Sequence, residues 1–187
     1  MQRDRKGEAG SAIEETQAAL LALAVFLGTP KFELVLGNVR GDLAHKPRQV
    51  RVTLAQRADL QSHFVYSAAI KAMTNKEIGF LAGEMKELLD TNPNGSGFSF
   101  ADLLADKAGV RFAEVALQSE SSARRLQQLI SQGLTEQHLL PDISAMPEGI
   151  DYERFRAEYD TVESTAYRDM LAFINQELDA LPIYRGY

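Results

Sequence analysis

Apolar residues recur along most of the chain at the three- and four-residue spacing of α-helices. Ser11 can cap a first helix, with Glu14 at the capping-box distance, and this helix is predicted to end near Leu27. Further helices are predicted over residues 55–73, 76–90, 99–118, 121–131, 151–159 and 162–181. A single turn is predicted near residues 135–139, followed by a loop over 141–149.

Two short segments alternate apolar and polar residues instead, as β-strands do. These are residues 32–36 and 50–54, and a small β-hairpin near the N-terminus is predicted from them. Residues 1–10 are charged and predict a flexible tail. The chain is therefore predicted to be mainly α, with residues 11–187 as one helical domain of about six helices. Its motifs concentrate in a core region over about 55–118.

Composition narrows the classes of function. Among 187 residues, 26 are acidic and 20 are basic, so the net charge of −6 argues against a nucleic-acid binder and against a polybasic protein that binds membrane surfaces. The absence of cysteine removes disulfides, thiolate metal sites and cysteine nucleophiles. The longest apolar run, residues 18–27, is about half the length of a bilayer span and predicts a buried helix. We expect no transmembrane segment. A protein partner or a homo-oligomer is compatible with this composition.

His63 and several acidic residues lie on single faces, or stripes, of three consecutive predicted helices, where residues are three or four positions apart. His63 lies on a largely apolar stripe, Glu87 and Asp90 share the stripe of the next helix, and Asp102 and Asp106 share a third. Glycines and alanines near these acids allow neighbouring helices to approach closely. If the acidic stripes meet, their carboxylates need a metal ion, a cationic side chain or retained protons.

Two interpretations of this cluster are open. In the first, the carboxylates form a structural lock that Lys86 or Arg111 neutralises. In the second, they hold a divalent cation (Mn, Mg, Ca or Zn), because imidazole and carboxylates together suit such ions. The metal-ligand candidates are His63, Glu87, Asp90 and Asp106. The supporting or capping candidates are Lys86, Ser99 and Asp102, where Ser99 and Asp102 also match a helix cap.

A further alternative is a calcium loop over residues 90–102. Asp90, Asn92 and Asn94 match the first half of an EF-hand loop between two predicted helices. The bidentate glutamate of that loop is missing, since Ala101 stands at its position. A plain Asn-Gly turn followed by a helix cap explains the same residues.

The same motifs resemble a family of uncharacterised bacterial cell-envelope proteins, described as predicted periplasmic lipoproteins or domains of unknown function. The resemblance covers residues 60–115 and rests on three motifs: His63-Phe64, Lys86-Glu87-x-x-Asp90 and Ser99-x-x-Asp102-Leu-x-x-Asp106-x-x-Gly109. It implies a periplasmic or envelope location rather than a reaction. The chain departs from the family in having no lipobox cysteine and no signal-peptide pattern, which counts against anchoring and export.

Phosphate-binding glycine loops, HExxH and Gly-x-Ser-x-Gly are all absent from the sequence. The aromatic residues Tyr152, Phe155 and Tyr159 share one helical face, which predicts core residues or, if exposed, a partner-binding stripe. Two functions are therefore predicted. The favoured one is a non-enzymatic structural or interaction module, and the alternative is a metal-dependent hydrolase that uses His63, Glu87, Asp90 and Asp106.

Overall fold

The computed structural model describes residues 10–27, 50–73 and 97–185, and these are mainly helical. Their α-helices are α1 (Ala12–Leu27), α2 (Ala58–Met73), α3 (Phe100–Leu117), α4 (Glu120–Ser131), α5 (Tyr152–Glu158) and α6 (Thr165–Asp179). Two short 3-10 helices, Glu136–His138 and Pro182–Tyr184, complete the described elements. The mainly α prediction is confirmed. The predicted helix over 76–90 and residues 1–9 of the predicted tail lie outside the described residues.

The described part of the chain holds no helix long and apolar enough to cross a bilayer. The predicted β-hairpin is not found among the described residues. Its first strand, over 32–36, lies outside them, and residues 50–53 form no strand. Val50 and Val52 are 60% and 37% exposed, so the alternating pattern buries only Leu54. Leu54 pairs with Arg57 in an isolated antiparallel bridge rather than in a ladder.

A tight turn between Leu54 and Arg57 replaces the predicted start of α2. Ala55 and Gln56 have φ angles of 49° and 64°, in the left-handed region, so the helix begins at Ala58 and not at residue 55. The Glu136 carboxylate accepts the backbone N–H of Ala55 at 2.9 Å. This contact from a distant segment helps to hold a backbone conformation that side chains other than glycine disfavour.

Helices α2 and α3 form the closest helix pair of the described residues. Gly109 makes this approach possible, because a Cβ atom there would lie 2.1 Å from the carbonyl oxygen of Phe64. Both helices carry several fully buried alanines, and Phe64 and Phe112 pack with ring centroids 5.6 Å apart. The predicted stripe of small residues on α3 is therefore used for close packing, here against α2.

Helix α1 docks through a carboxylate from another helix. Glu120, the first residue of α4, accepts the N–H of Ala12 at 2.9 Å and that of Ile13 at 3.3 Å, and it also bonds the Ser11 hydroxyl. Ser11 accepts the N–H of Glu14 at 3.4 Å, as the capping motif predicted. Glu120 thereby satisfies the free N–H groups at the start of α1 and fixes this helix against α4.

The loop before α5 is joined to the start of α3. Phe98 and Ile150 exchange two backbone hydrogen bonds of 2.8 and 3.1 Å, and the Phe100 N–H donates to the carbonyl of Pro147. Aromatic rings pack beneath this junction, including those of Phe98, Phe100 and Phe155. The predicted aromatic face of α5 divides: Tyr159 is buried, Phe155 is partly buried and Tyr152 is 78% exposed.

Candidate functional site

His63 lies between two carboxylates of α3. Its Nδ1 atom is 3.2 Å from both carboxylate oxygens of Asp106, and its Nε2 atom is 3.7 Å from Oδ2 of Asp102. Asp102 and Asp106 are four residues apart, so both point from the same face of α3 toward α2. Ser67, one turn after His63 on α2, donates its hydroxyl to Asp106 at 2.6 Å.

Arg57 extends this cluster toward the loop before α5. Its guanidinium lies 3.4 Å from Asp102, donates to Asp59 at 3.1 Å and bonds the carboxylate of Glu148. Together these side chains form a continuous set of polar contacts, which we call the His63 network: Arg57, Asp59, His63, Ser67, Asp102, Asp106 and Glu148. The network joins α2, α3 and the loop over 141–149.

Burial and charge act in opposite directions on His63, whose side chain is 19% exposed. Burial alone would lower its pKa, but the hydrogen bond and charge of Asp106, with the charges of Asp102 and Asp59, outweigh burial and raise it. The pKa of Asp102 is also raised, first by burial and then by the nearby carboxylates of Asp59 and Glu148. Arg57, by contrast, holds the pKa of Asp59 below its usual range. The network therefore favours a protonated imidazole between two carboxylates.

Two of the four predicted metal-ligand candidates, His63 and Asp106, lie among the described residues. The structure brings His63 and Asp106 together, whereas Glu87 and Asp90 lie outside the described residues, as do Lys86, Asn92 and Asn94 of the other predictions. Over 10–27, 50–73 and 97–185, no group of three or more His, Asp and Glu side chains is arranged to hold a metal ion. Among the described residues, His63 and Asp106 contact each other and the neighbouring side chains of Asp102 and Ser67.

Two predicted supporting roles have different outcomes. Ser99 caps α3 by accepting the N–H of Asp102 at 3.1 Å, so the predicted cap is confirmed. Lys86 or Arg111 was predicted to neutralise the acidic cluster, and for Lys86, Glu87 and Asp90 this stays a prediction, since they lie outside the described residues. Among the described residues, Arg111 forms no ion pair with Asp102 or Asp106. It donates to Asp179 at 3.0 Å and lies 3.8 Å from Glu114, because its position on α3 turns it toward α6.

Arg57 is the cation that lies beside Asp102, and the sequence interpretation missed it. Its pairing with Asp59, two residues later at a helix start, was a local signal. Its other partners, Asp102 and Glu148, are 45 and 91 residues further along the chain, so helical periodicity could not identify them. Ser67 lay on the predicted stripe of His63, but its bond to Asp106 depends on how α2 and α3 pack.

No protein-family model, curated protein or solved structure matches this chain. The resemblance of residues 60–115 to a cell-envelope family therefore stays a prediction, as does the envelope location that it implies.

Proposed function

We propose that this chain is a structural or interaction module in which the His63 network locks α2, α3 and the loop over 141–149 together. The observation that supports this most directly is the position of His63 between Asp102 and Asp106, with Arg57 beside Asp102. A pair of helices held this way can present a surface of fixed shape.

The charges of the network are compensated by side chains of the protein. Asp106 contacts His63 and Ser67, Asp102 contacts Arg57 and His63, and Asp59 and Glu148 both bond Arg57. Partly buried carboxylates that already have cationic and hydroxyl partners do not need an added cation to remain in place. This arrangement is typical of a structural network.

The network also reaches a part of the surface that can meet a partner. Glu148, which Arg57 bonds, directly precedes Gly149 and Ile150, and Ile150 pairs with Phe98 at the start of α3. Fixing Glu148 therefore fixes the backbone of this junction. The His63 network is thus connected through Glu148 to an accessible part of the surface. This connection favours an interaction module over an isolated catalytic centre.

The alternative function, a metal-dependent hydrolase, has one observation in its favour, namely the contact between His63 and Asp106. The variant Asp106→Asn separates the two hypotheses because it keeps the shape of the side chain and removes its charge. If the network is a lock, this variant lowers the free energy of unfolding by about 1 kcal/mol. The loss should be the same with chelator and with added Mn, Zn or Ca, measured by urea unfolding.

Asp169→Asn is the matched control, since Asp169 is an exposed carboxylate on α6, and it should leave the stability unchanged. A metal that raises the melting temperature of the natural chain, and fails to do so in Asp106→Asn, would contradict the lock and support the hydrolase. A rise specific to calcium that survives in Asp106→Asn would instead indicate the loop over 90–102.

A further inference from the structure

An open apolar groove lies beside the junction that the His63 network fixes. We call it the Phe98 groove, and its volume is about 760 Å³. It is lined by residues 97–98 and 149–152 together with Phe155 and Val162. Tyr152 is 78% exposed and Val162 is 58% exposed, so two large side chains stand at its edge in contact with solvent. Exposed aromatic and aliphatic side chains around a concave surface are typical of binding sites for other molecules.

The shape of the groove is set by the backbone. Gly97 and Gly149 both have positive φ angles, of 80° and 61°, and a Cβ atom at Gly97 would lie 2.8 Å from the carbonyl oxygen of Ile150. Phe98 and Ile150, whose backbones are paired, are both lining residues, and the Phe98 and Phe155 rings pack with centroids 5.0 Å apart. A preformed groove loses little entropy when a partner binds.

The chain segment that supplies most of the groove lining is acidic, and Glu148 at its start is paired with Arg57. Residues 148–163 contain six acidic and two basic residues, so this segment holds a net charge of −4, against −6 for the whole chain. Both arginines are already paired, Arg154 with Glu158 at 2.8 Å and Arg156 with Asp160 at 3.0 Å. Within the part of the chain that the structure describes, no ion pair involves Asp151, Glu153 or Glu163.

The groove suits a peptide better than a small polar molecule. Among its lining residues, Asp151 carries the one carboxylate and none is basic, and the Asp151 carboxylate accepts the backbone N–H of Arg154 at 2.8 Å as the cap of α5. The lining thus offers apolar contact, while the charge lies around it. Such a surface is complementary in shape and charge to a bulky apolar side chain flanked by cations, and its charge is unfavourable for nucleic acids and anionic lipids.

We propose that the Phe98 groove is a docking site for a basic protein segment that inserts one aromatic or large aliphatic side chain between Tyr152 and Val162. This inference rests on the proposed function as an interaction module and names the surface and the class of partner. Lysine or arginine residues on either side of the inserted side chain would face the carboxylates of Glu153 and Glu163.

A display library of random dodecapeptides tests the proposal, with the full chain immobilised as bait. We expect enrichment of peptides that carry Lys or Arg around Phe, Trp, Tyr or Leu. An enriched peptide, labelled with fluorescein and measured by anisotropy, should bind Tyr152→Ser and Val162→Ser about tenfold more weakly than the natural chain. Both side chains are exposed, so these variants should fold normally, which circular dichroism checks.

Phe173→Ser is the matched control, because Phe173 is an exposed aromatic residue on α6 outside the groove, and its affinity should stay within about twofold. Glu153→Gln together with Glu163→Gln should weaken binding and flatten its salt dependence, whereas Asp169→Asn should not.

Three results would overturn the proposal: no enrichment, enrichment of acidic or uncharged peptides, or binding that Tyr152→Ser and Val162→Ser leave intact. Concentration-dependent self-association that Tyr152→Ser abolishes would overturn it as well, since the occupant would then be a second copy of the chain. The Asp106→Asn experiment measures stability, so failure of the groove and failure of the lock are distinguishable.

Discussion

At the scale of single residues, the ionisation of His63 is the feature with the clearest consequence. Its imidazole lies against Asp106 at 3.2 Å and near Asp102 at 3.7 Å, and these carboxylates raise its pKa in spite of burial. A group whose pKa is higher in the folded state stabilises that state while it is protonated. The stabilisation is complete below the ordinary histidine pKa and is lost as the pH rises through the raised value.

The variant His63→Gln tests this sign. We expect the difference in unfolding free energy between the natural chain and His63→Gln to be larger near pH 5.5 than near pH 8.5, on either side of the ordinary pKa of about 6.5. Urea unfolding at each pH measures the difference. A difference that is constant or grows toward alkaline pH would show that His63 is not held as a cation. His138→Gln is the control, because His138 contacts Thr135 and no carboxylate bond to it is found among the described residues.

At the scale of elements, the contact between α2 and α3 positions the network. Gly109 lets the two helices approach until a Cβ atom would lie 2.1 Å from the Phe64 carbonyl oxygen and 3.1 Å from the Ala68 nitrogen. Backbone atoms cannot move aside as a flexible side chain can, so added volume must push the helices apart. His63 and Asp106 would then separate as well, because they belong to the same pair of helices.

The variant Gly109→Ala is therefore expected to lower the free energy of unfolding by about 2 to 3 kcal/mol. Gly133→Ala is the comparison, since Gly133 has a φ of 95° but nothing lies within 4 Å of its added Cβ atom. Its cost should be about 1 kcal/mol, from backbone conformation alone. Equal losses in the two variants, measured by urea unfolding, would argue against close helix packing at Gly109.

At the scale of the whole molecule, Arg57 connects the helix pair to the rim of the Phe98 groove. It contacts Asp102 on α3 and Glu148 in the loop, and Glu148 lies two residues before Ile150. Ile150 donates its N–H to Phe98 at 3.1 Å, so this amide reports whether the junction is closed. Replacing Arg57 should therefore make the hydrogen bond between Ile150 and Phe98 beside the groove open more often.

Hydrogen exchange measures this coupling. In Arg57→Gln, the Ile150 amide should exchange about tenfold faster than in the natural chain, because opening the junction no longer breaks the bond to Glu148. Arg154→Gln is the control, since the side-chain contact of Arg154 is with Glu158 within α5. Unchanged protection of Ile150 in Arg57→Gln would mean that the network and the groove are independent.

The sequence predicts those structural features that depend on residues close together in the chain. The positions of α1 and α3, the Ser11 and Ser99 caps and the end of α4 near Gly133 follow from apolar spacing and local hydrogen bonding, and the structure confirms them. The helical faces on which His63 and Asp106 lie were also predictable, because side chains three or four residues apart share a face of a helix.

Other features exist only through contacts between distant segments. Glu136 supports the left-handed turn at Ala55, which local propensity disfavours, and residues 50–53 form no strand although they alternate. Arg57 rather than Arg111 meets Asp102, because helix packing turns Arg111 toward Asp179. Periodicity determines which face a residue occupies, but the partner of that face is decided by shape and charge in three dimensions. The sequence by itself therefore determined the helices, and tertiary packing decided the network and the groove.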